Sequence, residues 1–125
     1  MSEKEKLNNK EFARILEKRT KAFAVSIIKL SGKLPNTTEG KVIKNQLTKS
    51  GTSIGANYRE ANRARSKADF RSKIKISESE ASESQFWLEI IIEMKWIKPE
   101  DMKFELEEVS ELLAIFTSIG NNLNK

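Results

Sequence analysis

From Gln46 to Phe70 the chain reads QLTKSGTSIGANYREANRARSKADF. Leu47, Ser50, Ile54, Asn57 and Ala61 repeat at alternating three- and four-residue steps, the seam of one helix face. That seam passes through Gly51 and Gly55 without a break, although each interior glycine costs a helix about 0.8–1 kcal/mol relative to alanine. A helix broken at Gly51 is the rival reading, and the continuous repeat argues against it. After Ala61 the pattern dissolves into arginines, and Ser66 with Asp69 three residues later forms a capping pair that opens a new helix. The stretch therefore reads as a helix, a short turn and the start of a second helix.

Beyond the turn, Phe70, Ile74, Ser77, Ala81, Ser84, Leu88 and Ile91 carry the same repeat. An antiparallel hairpin turning near residues 65 and 66 sets Ile54 against Ser77, Ser50 against Ala81, Leu47 against Ser84 and Ile43 against Leu88. Large side chains then mostly meet small ones, and at the middle both are small. Gly51 and Gly55 lie four apart on one stripe and let a neighbouring helix come close. They read as packing devices for a tight hairpin or for a subunit contact.

Upstream, Phe12, Leu16, Thr20, Phe23, Ile27, Leu30 and Leu34 form another helical seam, closed by Pro35. Asn36 with Glu39 reads as the capping box of the helix that follows. Downstream, Pro99 suits a first helical turn, and Met102, Leu106, Val109, Leu113, Phe116, Gly120 and Leu123 make a fourth seam. Four helices with short connections predict an all-α, antiparallel up-down-up-down four-helix bundle. The expected helices run about 9–33, 37–64, 67–96 and 99–122, within one domain spanning 1–125.

Composition narrows the function. The 125 residues contain no histidine and no cysteine, which removes the commonest general base, the commonest metal ligand and all thiolate chemistry. The charged N-terminus, MSEKEKLNNKEF, does not read as a signal peptide, and the longest apolar run, FWLEIIIEMKWI, is interrupted by Glu89, Glu93 and Lys95. A cytoplasmic protein with no membrane span is expected.

At the residue level, SGTSIGANYREANRARSKADF followed by EASESQFWLEII resembles the four-helix-bundle proteins encoded in intervening sequences of bacterial large-subunit ribosomal RNA genes. That family in turn resembles the accessory variability determinant proteins of diversity-generating retroelements, which the same superfamily is expected to include. The shared pattern falls here on Gln46-Leu47, on Ser53-Ile54-Gly55-Ala56-Asn57-Tyr58-Arg59-Glu60 and on Ser66-Lys67-Ala68-Asp69-Phe70. The third helix adds Glu80-Ala81, Glu83 and Trp87-Leu88. A glycine that often follows the Asn-x-x-Glu is Ala61 here. The resemblance implies a homo-oligomeric ring, a homopentamer, with a basic surface directed at nucleic acid. For the retroelement relatives it implies a reverse transcriptase as protein partner.

Charge is distributed unevenly. Lys41 to Lys75 holds ten Lys or Arg against Glu60 and Asp69, a net of +8. Glu78 to Glu111 holds eleven acids against three lysines, a net of −8. In an up-down bundle the second turn shares its end with the start of the first helix. Arg59, Arg63, Arg65, Lys67, Arg71 and Lys75 would then meet Lys4, Lys6, Lys10 and Arg14. Such a basic end predicts low-specificity RNA or DNA binding through phosphates, while a solvated, solubilising tip is the plainer alternative. Tyr58 and Phe70 are the only aromatics nearby, and Phe70 reads as core, so base stacking has little support. At the opposite end, Lys41 and Lys44 sit at a helix start and Glu89 and Glu93 at a helix end, against both dipoles. Cross-helix pairing between them is expected to offset the penalty.

Glu60, Glu80 and Glu83 raise the possibility of a carboxylate site, but di-iron bundles need Glu-x-x-His pairs. Pairing with arginines, or with a buried Asn57, is the better reading, and neither catalysis nor a cofactor is expected. Trp87, Ile90 and Met94, with Phe86, Trp96 and Ile97, form a surplus apolar stripe on the third helix. It predicts a contact with another copy or with a protein partner.

Overall fold

The computed structural model describes residues 3–123, with side chains described from Asn9 onward. Helix α1 runs Glu3–Ser31, α2 Thr38–Ala61, α3 Lys67–Glu93 and α4 Lys103–Asn122, the last preceded by a 3-10 turn over Pro99–Met102. Residue contacts run antiparallel between successive helices. Asn62, just past the end of α2, meets Glu17 of α1, Ser77 of α3 meets Ile54 of α2, and Arg71 of α3 meets Leu123 past the end of α4. The architecture is the all-α up-down-up-down bundle.

Cap chemistry sets the starts of α2 and α3 and the end of α3. Ser66 opens α3 by accepting the Asp69 amide at 3.0 Å, as its spacing predicts. For α2 the cap is Thr37, one residue later than the expected Asn36: its Oγ1 accepts the Gly40 amide at 3.0 Å. A side chain at Gly40 would collide with the Pro35 carbonyl, with a Cβ only 2.0 Å from its oxygen, so the α1–α2 turn folds tightly only over a glycine. α3 stops at Glu93, earlier than the apolar run suggests. Lys95 takes φ 59°, and the amides of Lys95 and Trp96 return to the carbonyls of Ile92 and Ile91 at 2.9 and 3.2 Å. This is a Schellman stop with lysine in the left-handed position usually given to glycine.

The core is built from Leu16, Phe23, Ile27 and Leu30 of α1, Leu47, Ile54 and Tyr58 of α2, Ile74, Leu88 and Ile91 of α3, and Val109, Leu112 and Phe116 of α4. Three seam expectations change. Phe12 lies at the outer end of α1, 49% exposed. In α2, Tyr58 takes the inward position expected of Asn57, whose amide nitrogen instead donates to the Ser53 carbonyl of its own helix at 2.8 Å. In α4, Leu112 is fully buried where Leu113 was expected.

The glycine stripe also has a different partner. A Cβ on Gly51 would lie 2.8–3.1 Å from Ile27, and one on Gly55 2.9–3.3 Å from Thr20. The glycines admit α1, while Ser50, on the neighbouring row, faces α3 through a 2.9 Å bond from Ser84 Oγ.

α1 and α4 meet less extensively than the other neighbouring helices. Their seam is polar. Arg19 forks onto Glu108 at 3.1 and 2.6 Å and reaches Glu111 at 3.1 Å, and Ser26 donates to Glu105. Glu108 is buried, and the bidentate hydrogen bond that Arg19 donates to it raises the pKa of Arg19, which therefore stays charged. Among the described residues no buried side-chain polar atom lacks a partner.

Candidate nucleic-acid interface

The six expected site residues lie along the α2–α3 corner. Arg59 closes the last turn of α2, Arg63 and Arg65 sit on the connection, and Lys67, Arg71 and Lys75 follow one row up α3. All six are exposed. Two helices begin at this end and two finish there, so the macrodipoles oppose one another and side chains set the sign of the potential. Lys10 and Arg14 of α1 are exposed at the same end, whereas the side chains of Lys4 and Lys6 lie outside the described residues.

The corner is divided rather than uniform. Arg59 leans onto α1, 3.6 Å from Glu17, which also accepts from Asn62 at 2.9 Å. Arg71 turns the other way and donates to the Leu123 carbonyl at 2.9 Å, satisfying the open end of α4. Between them Arg63, Arg65 and Lys67 engage no side chain among the described residues. These three are the unencumbered cations of the end.

Neither aromatic candidate presents a stacking face. Tyr58 is 2% exposed and sits edge-on to Phe116, with ring centroids 5.4 Å apart. Burial pushes its phenol pKa up, against a hydrogen bond with Asn62 that pulls it down. Phe70 is half-buried against the core. The end offers charge without a reading element.

A trench adjoins it that the sequence reading did not single out. Where α1 closes on α2, Lys10, Arg14, Lys18 and Lys21 line one wall and Arg59 the other. The spacing of those four on α1 was the available signal, but their common wall depends on where α2 packs.

Other expected groupings are absent. Lys41, Lys44, Glu89 and Glu93 take part in none of the ion pairs among the described residues, which are Arg14–Glu11, Arg19–Glu108, Arg19–Glu111 and Arg59–Glu17. Exposed lysines gain too little from such pairs to hold one geometry. Glu60 lines the α1–α2 trench, whereas Glu80 interacts with Glu83 and Lys49, and among the described residues no acidic group gathers to hold a metal. The surplus stripe on α3 is partly spent inside: Ile97 is buried, and Trp87 and Trp96 pack against the core. Phe86 remains exposed on α3 and Met94 just past its end, and α1 exposes Phe12, Ile15, Val25 and Ile28. No described helix is long and apolar enough to cross a membrane.

No curated relative matches the chain. Among solved structures it is similar to a protein of unknown function from the S23 ribosomal protein family of Bacteroides thetaiotaomicron. That protein is 38% identical, with a TM-score of 0.77 over 83% of this chain and 96% of the other. The model of the 23S rRNA-intervening sequence protein family matches residues 7–118, nearly the whole bundle, and the chain belongs to that family.

Proposed function

We propose that the protein is a non-catalytic, cytoplasmic nucleic-acid-binding protein that grips phosphates with its basic α2–α3 corner, without cofactor or metal. The observation that carries this reading is the exposure of Arg63, Arg65 and Lys67 with no side-chain partner among the described residues. Unpaired cations on an exposed corner meet a polyanion without first breaking an ion pair, and release of its counterions supplies the affinity. The family's tie to 23S rRNA intervening sequences makes RNA the first ligand to test.

Assembly belongs to the same proposal. The chain works as a homo-oligomer, for which a ring of five is the form its resemblance implies, and repeated corners would multiply a weak contact. Exposed Phe12, Ile15, Val25 and Ile28 on α1 support association. Light scattering coupled to size exclusion measures it, and a 14.3 kDa species at micromolar concentration rules it out.

Binding is tested by fluorescence anisotropy on wild type and Arg63→Glu/Lys67→Glu at two salt concentrations. The double variant is expected to weaken every sequence alike, with unchanged melting temperature and mass. No binding by the wild type at ~50 mM salt, where phosphate contacts are strongest, overturns the reading. A second reading, a scaffold for another protein such as a reverse transcriptase, is favoured by exposed Phe86 on α3 and Met94 at its C-cap and takes precedence in that case.

A further inference from the structure

We infer that the trench between α1 and the C-terminal half of α2 is a track for the sugar–phosphate backbone of a single nucleic-acid strand, an inference that rests on the nucleic-acid reading above. Its floor exists because of the glycine stripe. Gly51 and Gly55 draw α1 in against Ile27 and Thr20, and small side chains, Thr52, Ala56, Ala13 and Ala24, lie beside that contact between the longer charged side chains of the walls. Nothing large fills the seam, so it stays open as a shallow channel.

The outer half of the channel is basic. Lys10, Arg14, Lys18, Lys21 and Arg59 line it against Glu17 alone, a net of +4. Glu17 is already held by Arg59 and Asn62, and Arg14 pairs with Glu11 while remaining 60% exposed. Lys10, Lys18 and Lys21 have no ion-pair partner among the described residues. Further in, Glu60 joins Glu17 opposite Lys21 and Arg59, and the charge balances. A polyanion is therefore held at the outer half and released inward.

Spacing points to one strand. Residues 10, 14, 18 and 21 climb α1 in steps of about 6, 6 and 4.5 Å on one face, matching a backbone laid lengthwise with a phosphate at each step. The axes of two packed helices lie about 8–10 Å apart, so the surface groove over their seam is narrow enough to seat one backbone, while a duplex would touch only its rim. The lining holds no aromatic side chain, so bases point outward and the track tolerates any sequence.

The test uses the full chain, a fluorescent oligouridylate of twelve nucleotides and a duplex RNA of the same length. Replacing Lys10, Lys18 and Lys21 together with alanine should lower single-strand affinity at least tenfold at ~50 mM salt. The log–log salt slope should flatten by about 2, at about 0.7 per single-strand phosphate released. Duplex affinity should change less than threefold, and arginine at all three positions should restore single-strand binding. Equal losses on both probes, or none, overturn the track. If wild type binds and only Arg63→Glu/Lys67→Glu weakens it, the corner stands and the trench falls. If wild type binds neither probe, both fall together.

Discussion

Ser77 Oγ donates a 2.9 Å hydrogen bond to the main-chain carbonyl of Ile54, across the α2–α3 interface. The serine is fully buried, and its small side chain lets α3 lie directly on the backbone of α2. Ser77→Ala should cost about 1 kcal/mol, one neutral hydrogen bond, because the Ile54 carbonyl keeps its place in the helix ladder. Ser77→Leu should cost more, about 1–3 kcal/mol or beyond, by forcing the helices apart. Urea denaturation of the two variants orders these effects; equal losses would show that volume is irrelevant at this position.

The glycines separate propensity from packing. Gly120 has nothing within 4 Å of an added Cβ, so Gly120→Ala should stabilise α4 by up to about 1 kcal/mol. At Gly55 the same Cβ lies 2.9 Å from Thr20 Oγ1 and 3.3 Å from its main-chain carbon, which cannot swing aside. Gly55→Leu should therefore lose stability despite the same propensity gain, since overpacking costs about 1–3 kcal/mol. Thermal melts of both variants check the opposite signs.

What the sequence disclosed follows the same division between local and distant causes. The α2–α3 hairpin was legible because Ser66 announces its cap and Ser77, Ala81 and Ser84 stay small through a regular seam. Tyr58 replaced Asn57, and Leu112 replaced Leu113, because a helix turns every 3.6 residues while a heptad seam assumes 3.5. The α1 partner of the glycines was invisible, since spacing names a stripe but not what lies on it. Arg19 and Glu108, 89 residues apart, could not be matched among so many charges. The basic corner was legible by composition, but its splitting by Glu17 and the Leu123 carbonyl was not.

Lys95 offers a stabilising change. Its φ of 59° places a Cβ against the following carbonyl, a strain of about 1–2 kcal/mol that glycine lacks. Lys95→Gly should keep the two return bonds from residues 95 and 96 and raise stability by about 1 kcal/mol. A lowered melting temperature would mean that the lysine side chain holds the α3–α4 turn.

Glu80 makes stability depend on pH. Burial raises its pKa above 4.5, neighbouring Glu83 adds to the rise, and Lys49 opposes it. The folded chain then holds this proton more tightly than the unfolded chain. Its contribution is fully present below pH 4.5 and is lost as pH rises through the folded value. Glu80→Gln should raise the melting temperature at pH 7, within the roughly 0.5 kcal/mol typical of surface changes, and the gain should fade below pH 4.5. Melts of both proteins across pH 4–8 give the difference curve, and a gain that grows toward acid would contradict the assignment.

Arg71 has two tasks that one variant can separate. Its 2.9 Å bond to the Leu123 carbonyl anchors the end of α4 to the start of α3, and its positive charge suits that helix C-terminus. Lys67, one turn earlier, is exposed and has no ion-pair partner among the described residues. Arg71→Ala should cost about 0.5–1 kcal/mol and lower the melting temperature by a few degrees, whereas Lys67→Ala should leave it within about a degree. Measured below both melting transitions, the two variants should lose nucleic-acid affinity to a similar extent, because each removes one phosphate contact. If Arg71→Ala lowers stability and leaves affinity untouched, Arg71 is a helix anchor alone, and the phosphate-binding corner contracts to Arg63, Arg65 and Lys67.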